Sequence, residues 1–418
     1  METRSQIDIL SLFIFLCIAA LGVASVYSAT FEIGAESLFE GRSGKQMMWL
    51  GLSFFLGIVI FLINTNFYEQ FSWVFYIFFT TLLVVVLVIG ADINGARSWI
   101  KIGSYSLQPS EFAKYGAAFA VSAYLSRLNF SFHRFRDILI LGAIIAVPAG
   151  LIILQRDTGS ALVFSSFILV LYREGLTPFI IILGLITVFI FIMTLVFGSL
   201  YFSIAVGVVF LVFYAFTFTN KKLLLPSIYA AVLAIALSLS VQFLFDNILQ
   251  PHQRKRIQVT LNLIEDNQGA GYNVNQSKIA IGSGQFAGKG FLNGSHTKGN
   301  FIPEQETDFI FCTIGEEGGW LMSSLTVVLF VAFILRLFYL AERAKKKYKR
   351  VFIFSLASII FFHLLVNVGM TIGLMPVIGI PLPLISYGGS SILAFSIFVF
   401  TALKLDSTRD QDLPSVYS

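Results

Sequence analysis

The chain has 418 residues, 57% of them hydrophobic and 12% charged, with a mean hydropathy of +0.84 and a formal net charge of +5. Soluble domains carry roughly 25% charged residues, so this composition excludes a core dissolved in water and places the chain in lipid. The mild positive charge fits cytoplasmic loops, not nucleic acid, and the two cysteines and four scattered histidines offer neither a disulfide framework nor a zinc site.

Apolar runs predict twelve membrane-spanning helices, at residues 8–29, 47–65, 70–90, 109–126, 137–154, 159–172, 178–197, 200–218, 223–245, 307–340, 351–375 and 384–404. The first run is long and no A-x-A site follows it, so it reads as a retained anchor rather than a cleaved signal peptide. With the N-terminus in the cytoplasm, the inner segments hold 15 Lys and Arg. The short outer loops hold 5: Arg42, Lys45, Arg97, Lys101 and Arg156. That asymmetry predicts both termini inside; the long loop 246–306 is left out because long loops obey the rule poorly. The expected fold is therefore an all-α polytopic membrane protein of about 12 helices. Residues 1–418 form one integral domain, with 246–306 as a large extracellular or periplasmic loop. The loops 91–108, 155–158, 246–306 and 376–383 face out, where no ATP is available.

Four motifs fall at that outer face. The first, "GARSWIKIGSYSLQPSEFAKYG", covers residues 95–116. Arg97 and Trp99 lie in its loop, and Pro109 can open a helix. Glu111 and Lys114 are then three apart on one helix face and close enough to pair. Lys114 is about 9 Å past Gln108 along the axis, within the membrane, where ionisable residues are functional by default. The bland alternative is an ion pair that only holds two helices together. In the second motif, "QRDTGSA" at 155–161, Asp157 either caps the next helix or lines a site, and Gly159 permits close helix packing.

The third is the glycine-rich "GYNVNQSKIAIGSGQFAGKGFLNGSH". It lacks the G-x-x-x-x-G-K-[ST] spacing of a phosphate loop and faces away from nucleotides. It reads instead as a flexible flap on the membrane surface, from which Lys278 and Lys289 can reach a lipid diphosphate. Next to it, "FIPEQETDFIFCTIGEEGGW" sets five carboxylates at the mouth of an apolar run. If helix starts soon after Pro303, Glu304 and Glu306 sit at its favourable positive end. Asp308 opens the apolar run, with Cys312, Gly315 and Gly319 on or near its face, so it is expected to point into the bundle. Glu316 and Glu317 serve structure at least as well as catalysis. The fourth motif, "LMPVIGIPLPLISYGGSSI", carries Pro376, Pro381 and Pro383, which a continuous helix does not tolerate. It predicts a re-entrant loop lining a cavity, the one setting where irregular backbone survives at membrane depth.

Together, "PEQETDFIF" with "GEEGG", "QPSEFAK", "NQSKIAIGSG" and "PLPLISYGGSS" resemble, in order from about 95 to 392, the SEDS family of membrane peptidoglycan polymerases. "IPEQ" and "GIPLPLISYGG" resemble the elongation branch, RodA, more than the division branch, FtsW. The resemblance implies a bacterial inner-membrane glycosyltransferase that polymerises lipid II outside the membrane. A class B penicillin-binding protein and other elongation-complex membrane proteins are its implied partners. It places the family's essential aspartate on Asp308 and the polar cavity on Arg97, Trp99, Glu111, Lys114 and Asp157. Arg156 and Thr158 stand where the family more often has Pro and Leu, and Glu306 where His is common. Residues 178–245 hold three spans where most members have one, giving a core of ten spans plus two.

The chemistry suits these residues. Asp308 is expected either as the general base for an attacking sugar hydroxyl or, with Glu304, as the ligand of a divalent cation such as Mg or Mn; no nucleotide is required. Cations at Arg97, Lys114, Lys278 or Lys289 would stabilise a diphosphate leaving group. The rival class is a transporter that flips lipid-linked precursor, but no internal repeat is evident and the motifs cluster on one side. A pure scaffold is the third reading.

Overall fold

The computed structural model describes residues 7–31, 41–93, 95–103, 105–217, 221–247, 249, 251–261, 263–264, 270–299 and 301–409. In chain order the elements begin with α1 (Ile9–Ala29), α2 (Gly41–Leu62), α3 (Thr65–Gln70) and α4 (Ser72–Ile89). A small sheet follows, of β1 (Ala91–Ile93), β2 (Ala96–Ile102) and β3 (Tyr105–Leu107). Then come α5 (Pro109–Leu125), α6 (Phe135–Leu154), α7 (Thr158–Val163), a 3-10 turn and α8 (Phe167–Arg173). The chain continues through α9 (Pro178–Phe197), α10 (Ser199–Thr217), α11 (Lys221–Asn247), α12 (Pro251–Thr260), α13 (Ala270–Ser283) and α14 (Ser295–Lys298). It ends with α15 (Ile310–Arg343), α16 (Lys347–Thr371) and α17 (Gly389–Ser407). Two compact units result: Met1–Gly175 with Asn273–Ser418, and Leu176–Tyr272.

Among the described residues ten helices are long and apolar enough to cross a membrane: α1, α2, α4, α6, α9, α10, α11, α15, α16 and α17. The chain is thus a multi-pass, predominantly helical membrane protein. The two other expected spans coincide with α5, only 17 residues long, and with the shorter apolar stretch Thr158–Arg173. α5 is sheathed by protein, with Ala117, Ala118, Phe119, Ala120 and Val121 all fully buried. Small side chains let neighbours approach closely, and Phe352 of α16 meets Phe119 with ring centroids 4.7 Å apart. In the smaller unit, Thr194 of α9 donates to Ser238 of α11 at 2.9 Å, a buried contact between otherwise apolar helices.

Polar side chains pin the helix ends. Asp8 caps α1 by accepting from the Ser11 amide at 2.9 Å. It also takes Arg336 Nε at 3.1 Å, while Arg343 Nε donates to Asp406 of α17 at 2.8 Å. Burial alone would raise the Asp8 carboxyl, but the Arg336 and Ser11 hydrogen bonds outweigh it and hold the group well below the usual carboxylate range.

Three local expectations are corrected. First, the outer loop expected at 91–108 carries an antiparallel sheet of β1, β2 and β3, with Ala91 opposite Trp99 and Lys101 opposite Ser106. Second, the glycine-rich stretch holds a packed helix, not a loose flap. Val274 and Ala280 of α13 are buried with Ile302, Phe309, Cys312 and Val377, and Ser277 donates to the Thr371 carbonyl at 2.8 Å. Third, α15 begins at Ile310, so Glu304 and Glu306 precede it in a turn instead of occupying its first turn.

The glycines of that stretch have a structural purpose. Gly319 adopts φ 64°, ψ −161° and breaks α15. The break frees the Glu316 and Glu317 carbonyls, which accept from the amides of Lys289 (3.1 Å) and Gly290 (3.0 Å). The Trp320 and Leu321 amides donate to Gln285 and Phe286. A Cβ on Gly288 would lie 2.1 Å from the Glu317 oxygen, so only glycine permits this contact.

Candidate active site

The turn before α15 is built by long-range partners. Glu304 takes a left-handed conformation (φ 57°), and its carbonyl accepts from the amides of Thr307 and Phe309 at 3.1 and 3.2 Å. The expected irregular segment lies against this turn. Residues 372–388 are non-helical, yet Ile380, Leu382, Leu384, Ile385 and Ser386 are buried. The Tyr387 amide donates to the Glu306 carbonyl (2.8 Å) and Ser386 Oγ to the Thr307 carbonyl (2.6 Å). Arg42 of α2 forms an ion pair with Glu306 and lies over the Tyr387 ring.

Asp308 sits between these segments, half-buried. Asn367 of α16 fixes its backbone: Nδ2 donates to the Asp308 and Ile380 carbonyls, both at 2.8 Å. Its carboxylate faces Gly379, where an added Cβ would lie 3.2 Å from Oδ2. Gly379 has φ +77°, a conformation that favours glycine, so backbone and carboxylate meet without a side chain between them. On its other side the same segment meets α7, where a Cβ on Gly159 would lie 2.8 Å from the Ile378 oxygen. Gly159 thus admits this loop rather than a second helix.

Asp157 belongs to the same neighbourhood. It caps α7, accepting from the Ser160 amide at 3.0 Å, and its other oxygen accepts from Gln108 Nε2 at 3.0 Å. Capping and site placement therefore coexist. Arg97 is exposed on β2, and its amide donates to Gln155 at 2.9 Å, two residues from Asp157. Trp99 follows on the same strand, half-buried.

Glu111 and Lys114 pair as their spacing predicts, at 2.8 Å, each with a side chain only 2% exposed. Lys114 Nζ also contacts His363 Nε2 at 3.0 Å and lies 5.2 Å from the Phe395 ring centroid. His363 Nδ1 meets the Pro381 carbonyl at 2.9 Å, on the loop that seats Asp308. Lys114 is accordingly a buried support beneath this loop, not a cation open to a ligand.

The flap lysines part company. Lys278 is exposed on α13, with its stem beside Gly373 at the start of the irregular segment. Lys289 is turned onto Glu316 at 2.7 Å and also donates to Ser295. Glu316 further accepts from the amides of His296 and Thr297, both at 2.8 Å, so this carboxylate organises α14. Glu317 accepts from Ser28 Oγ at 2.5 Å. Glu304 Oε2 accepts from Thr307 at 3.0 Å, within its own turn. The structure thus brings Asp308 and, through His363, the Glu111–Lys114 pair to residues 378–381, with Asp157 two residues from the Gly159 that meets the same segment and Lys278 beside Gly373. Arg97 is tied to this region only by its backbone contact to Gln155. Lys289 is turned to a structural partner.

Sequence reading missed His363, Asn367, Gln108 and Arg42. A signal existed for the first two: they are polar, four residues apart and hence on one face of a strongly apolar helix. For a metal ion, no three His, Cys, Asp or Glu side chains gather among the described residues. A magnesium ion is usually held by one or two carboxylates plus substrate phosphates, and Asp308 offers one carboxylate toward such a set.

The sequence matches the FtsW/RodA/SpoVE cell cycle protein family over residues 8–205 and 199–410. The peptidoglycan glycosyltransferase MrdB of Escherichia coli strain K12 is 31% identical over 369 residues, covering 88% of this chain and 86% of that protein. The peptidoglycan glycosyltransferase RodA of Treponema pallidum is 29% identical over 416 residues, with 93% and 94% covered. A chain solved in a peptidoglycan synthase complex, in work on coordinating polymerization and crosslinking, has a TM-score of 0.70 at 25% identity, covering 97% of this chain and 99% of that one. Sequence and fold therefore agree along nearly the whole length: this protein belongs to the FtsW/RodA/SpoVE family.

Proposed function

We propose that the protein is a peptidoglycan glycosyltransferase of the elongation branch, polymerising lipid II into glycan strands at the outer face of the bacterial inner membrane. The observation that carries this reading is the seat of Asp308. A carboxylate is seated by the Asn367 contact to its backbone and by the 372–388 segment, with a buried cation joined to that segment through His363 and Asp157 two residues from the glycine that meets it. Rigid seating of an acid among polar groups is what positional catalysis requires.

In the reaction the acceptor's 4-hydroxyl oxygen attacks the anomeric carbon of the donor. The bond from that carbon to the diphosphate oxygen breaks, and the lipid diphosphate leaves. Asp308 takes the hydroxyl proton, and its negative charge favours an oxocarbenium-like transition state. Arg97 and Lys278, the exposed cations of the group, stabilise the departing diphosphate. Alternatively, Asp308 would hold a divalent cation such as Mg or Mn, which would neutralise charge on the departing diphosphate in place of the base role. A class B penicillin-binding protein and other elongation-complex membrane proteins are the partners that would crosslink and place the product.

The experiment separates polymerase from transporter. Protein purified in detergent micelles is given lipid II and magnesium or manganese, and glycan is resolved on a gel. Micelles have no second face, so a transporter leaves the substrate unchanged. We expect a ladder of strands; no ladder with either cation and with the transpeptidase partner added would remove the proposal.

Gly379→Ala tests the seating itself. The positive φ alone costs about 1–2 kcal/mol for a side-chain-bearing residue, and the new methyl meets Asp308 Oδ2. The expected result is a roughly 10- to 100-fold fall in kcat, the scale of a small misplacement, in a protein that still purifies monodisperse. Unchanged kcat would show that this contact does not position Asp308.

A further inference from the structure

Along α16 the run "IIFFHLLVNVGM" places two polar side chains in apolar surroundings, His363 and Asn367, one turn apart. Asn367 holds Ile380 and Asp308, and His363 holds the next carbonyl, Pro381, at 2.9 Å. The other ring nitrogen of His363 faces Lys114 Nζ at 3.0 Å. Donor rules settle the hydrogens. A carbonyl only accepts, so Nδ1 carries the proton; an ammonium only donates, so Nε2 presents its lone pair. An imidazolium here would set two cations 3.0 Å apart with no anion between them. The ring is 1% exposed and Phe395 meets it edge-on at 5.1 Å, so bulk solvent does not reach either nitrogen.

Resting on the proposed glycosyltransferase reading, we propose that His363 is a positioning residue: a neutral Nδ1–H ring that ties the Lys114–Glu111 pair to the loop seating Asp308. Two consecutive carbonyls, 380 and 381, are gripped from α16, and the residue before them faces the carboxylate. Removing the ring leaves the Pro381 carbonyl and one ammonium donor buried without partners. The loop then relaxes, and Asp308 moves with it. Glutamine can offer one donor and one acceptor from a single amide; leucine fills space and offers neither.

The test compares His363→Leu and His363→Gln, purified in detergent, in the lipid II assay. For the leucine variant we expect kcat to fall roughly 10- to 100-fold with KM little changed, and for glutamine recovery of most of that loss. A merely structural histidine would leave kcat intact in whatever fraction folds. A second readout needs no turnover: ¹⁵N-histidine spectra of the parent, with the His363 signals assigned by their loss in His363→Gln. They should show a neutral ring protonated at Nδ1, whose Nε2 signal moves on Lys114→Met. A leucine variant at parental kcat, a folded glutamine variant as poor as leucine, or a ring protonated at Nε2 would each overturn the proposal.

Discussion

Asp308→Asn is expected to lower glycan polymerisation by about 10²- to 10⁴-fold, the range a general base contributes, while the protein folds and inserts like the parent. Asparagine keeps the volume of aspartate, so the side chain still fits against Gly379. The backbone contact from Asn367 is unaffected, because it uses the residue 308 carbonyl. What disappears is the ability to accept a proton from the attacking hydroxyl and to place negative charge near a cationic transition state. A gel of strand products, with kcat and KM for lipid II, reads the loss; it should fall in kcat, since the group acts as bonds change. Normal strand synthesis by this variant would remove Asp308 from the mechanism.

Lys114→Met is the second large effect, and it separates folding from catalysis. Glu111 and Lys114 are a buried pair, and stripping one partner costs about 3–5 kcal/mol because the other charge stays buried alone. Methionine fills the space of the lysine stem but gives nothing to Glu111 or His363. The single variant should therefore show a steep fall in thermal midpoint in detergent, together with lost activity. Removing both charges, as in Lys114→Met with Glu111→Leu, is often close to neutral for stability. We expect the double variant to recover the midpoint but not strand synthesis. If it polymerised at the parental rate, the pair would only be holding helices together.

Much of this was legible because lipid imposes simple rules. Runs of apolar residues marked the helices, and three-residue spacing paired Glu111 with Lys114. Three prolines in a short stretch announced the irregular segment at 376–383. Other features escaped for a common reason: their cause lies far away in the chain. The turn from Pro303 to Phe309 looks like a helix start until Tyr387, Ser386 and Arg42 are seen holding it. The glycines near 288 resemble a flexible flap until the broken turn at Gly319 is laid against them. Lys289 resembles a ligand-binding cation until Glu316 is found beside it. The strands β1, β2 and β3 span 3, 7 and 3 residues, too short for period-2 alternation to stand out in so apolar a chain.

The most direct measurement asks where residue 308 lies. In a chain with Cys17 and Cys312 replaced, Asp308→Cys is exposed to a membrane-impermeant maleimide in intact spheroplasts. Labelling from outside is expected, reduced when lipid II accumulates. Modification only after the membrane is opened to the cytoplasmic side would contradict that placement, as would no modification until the protein is denatured.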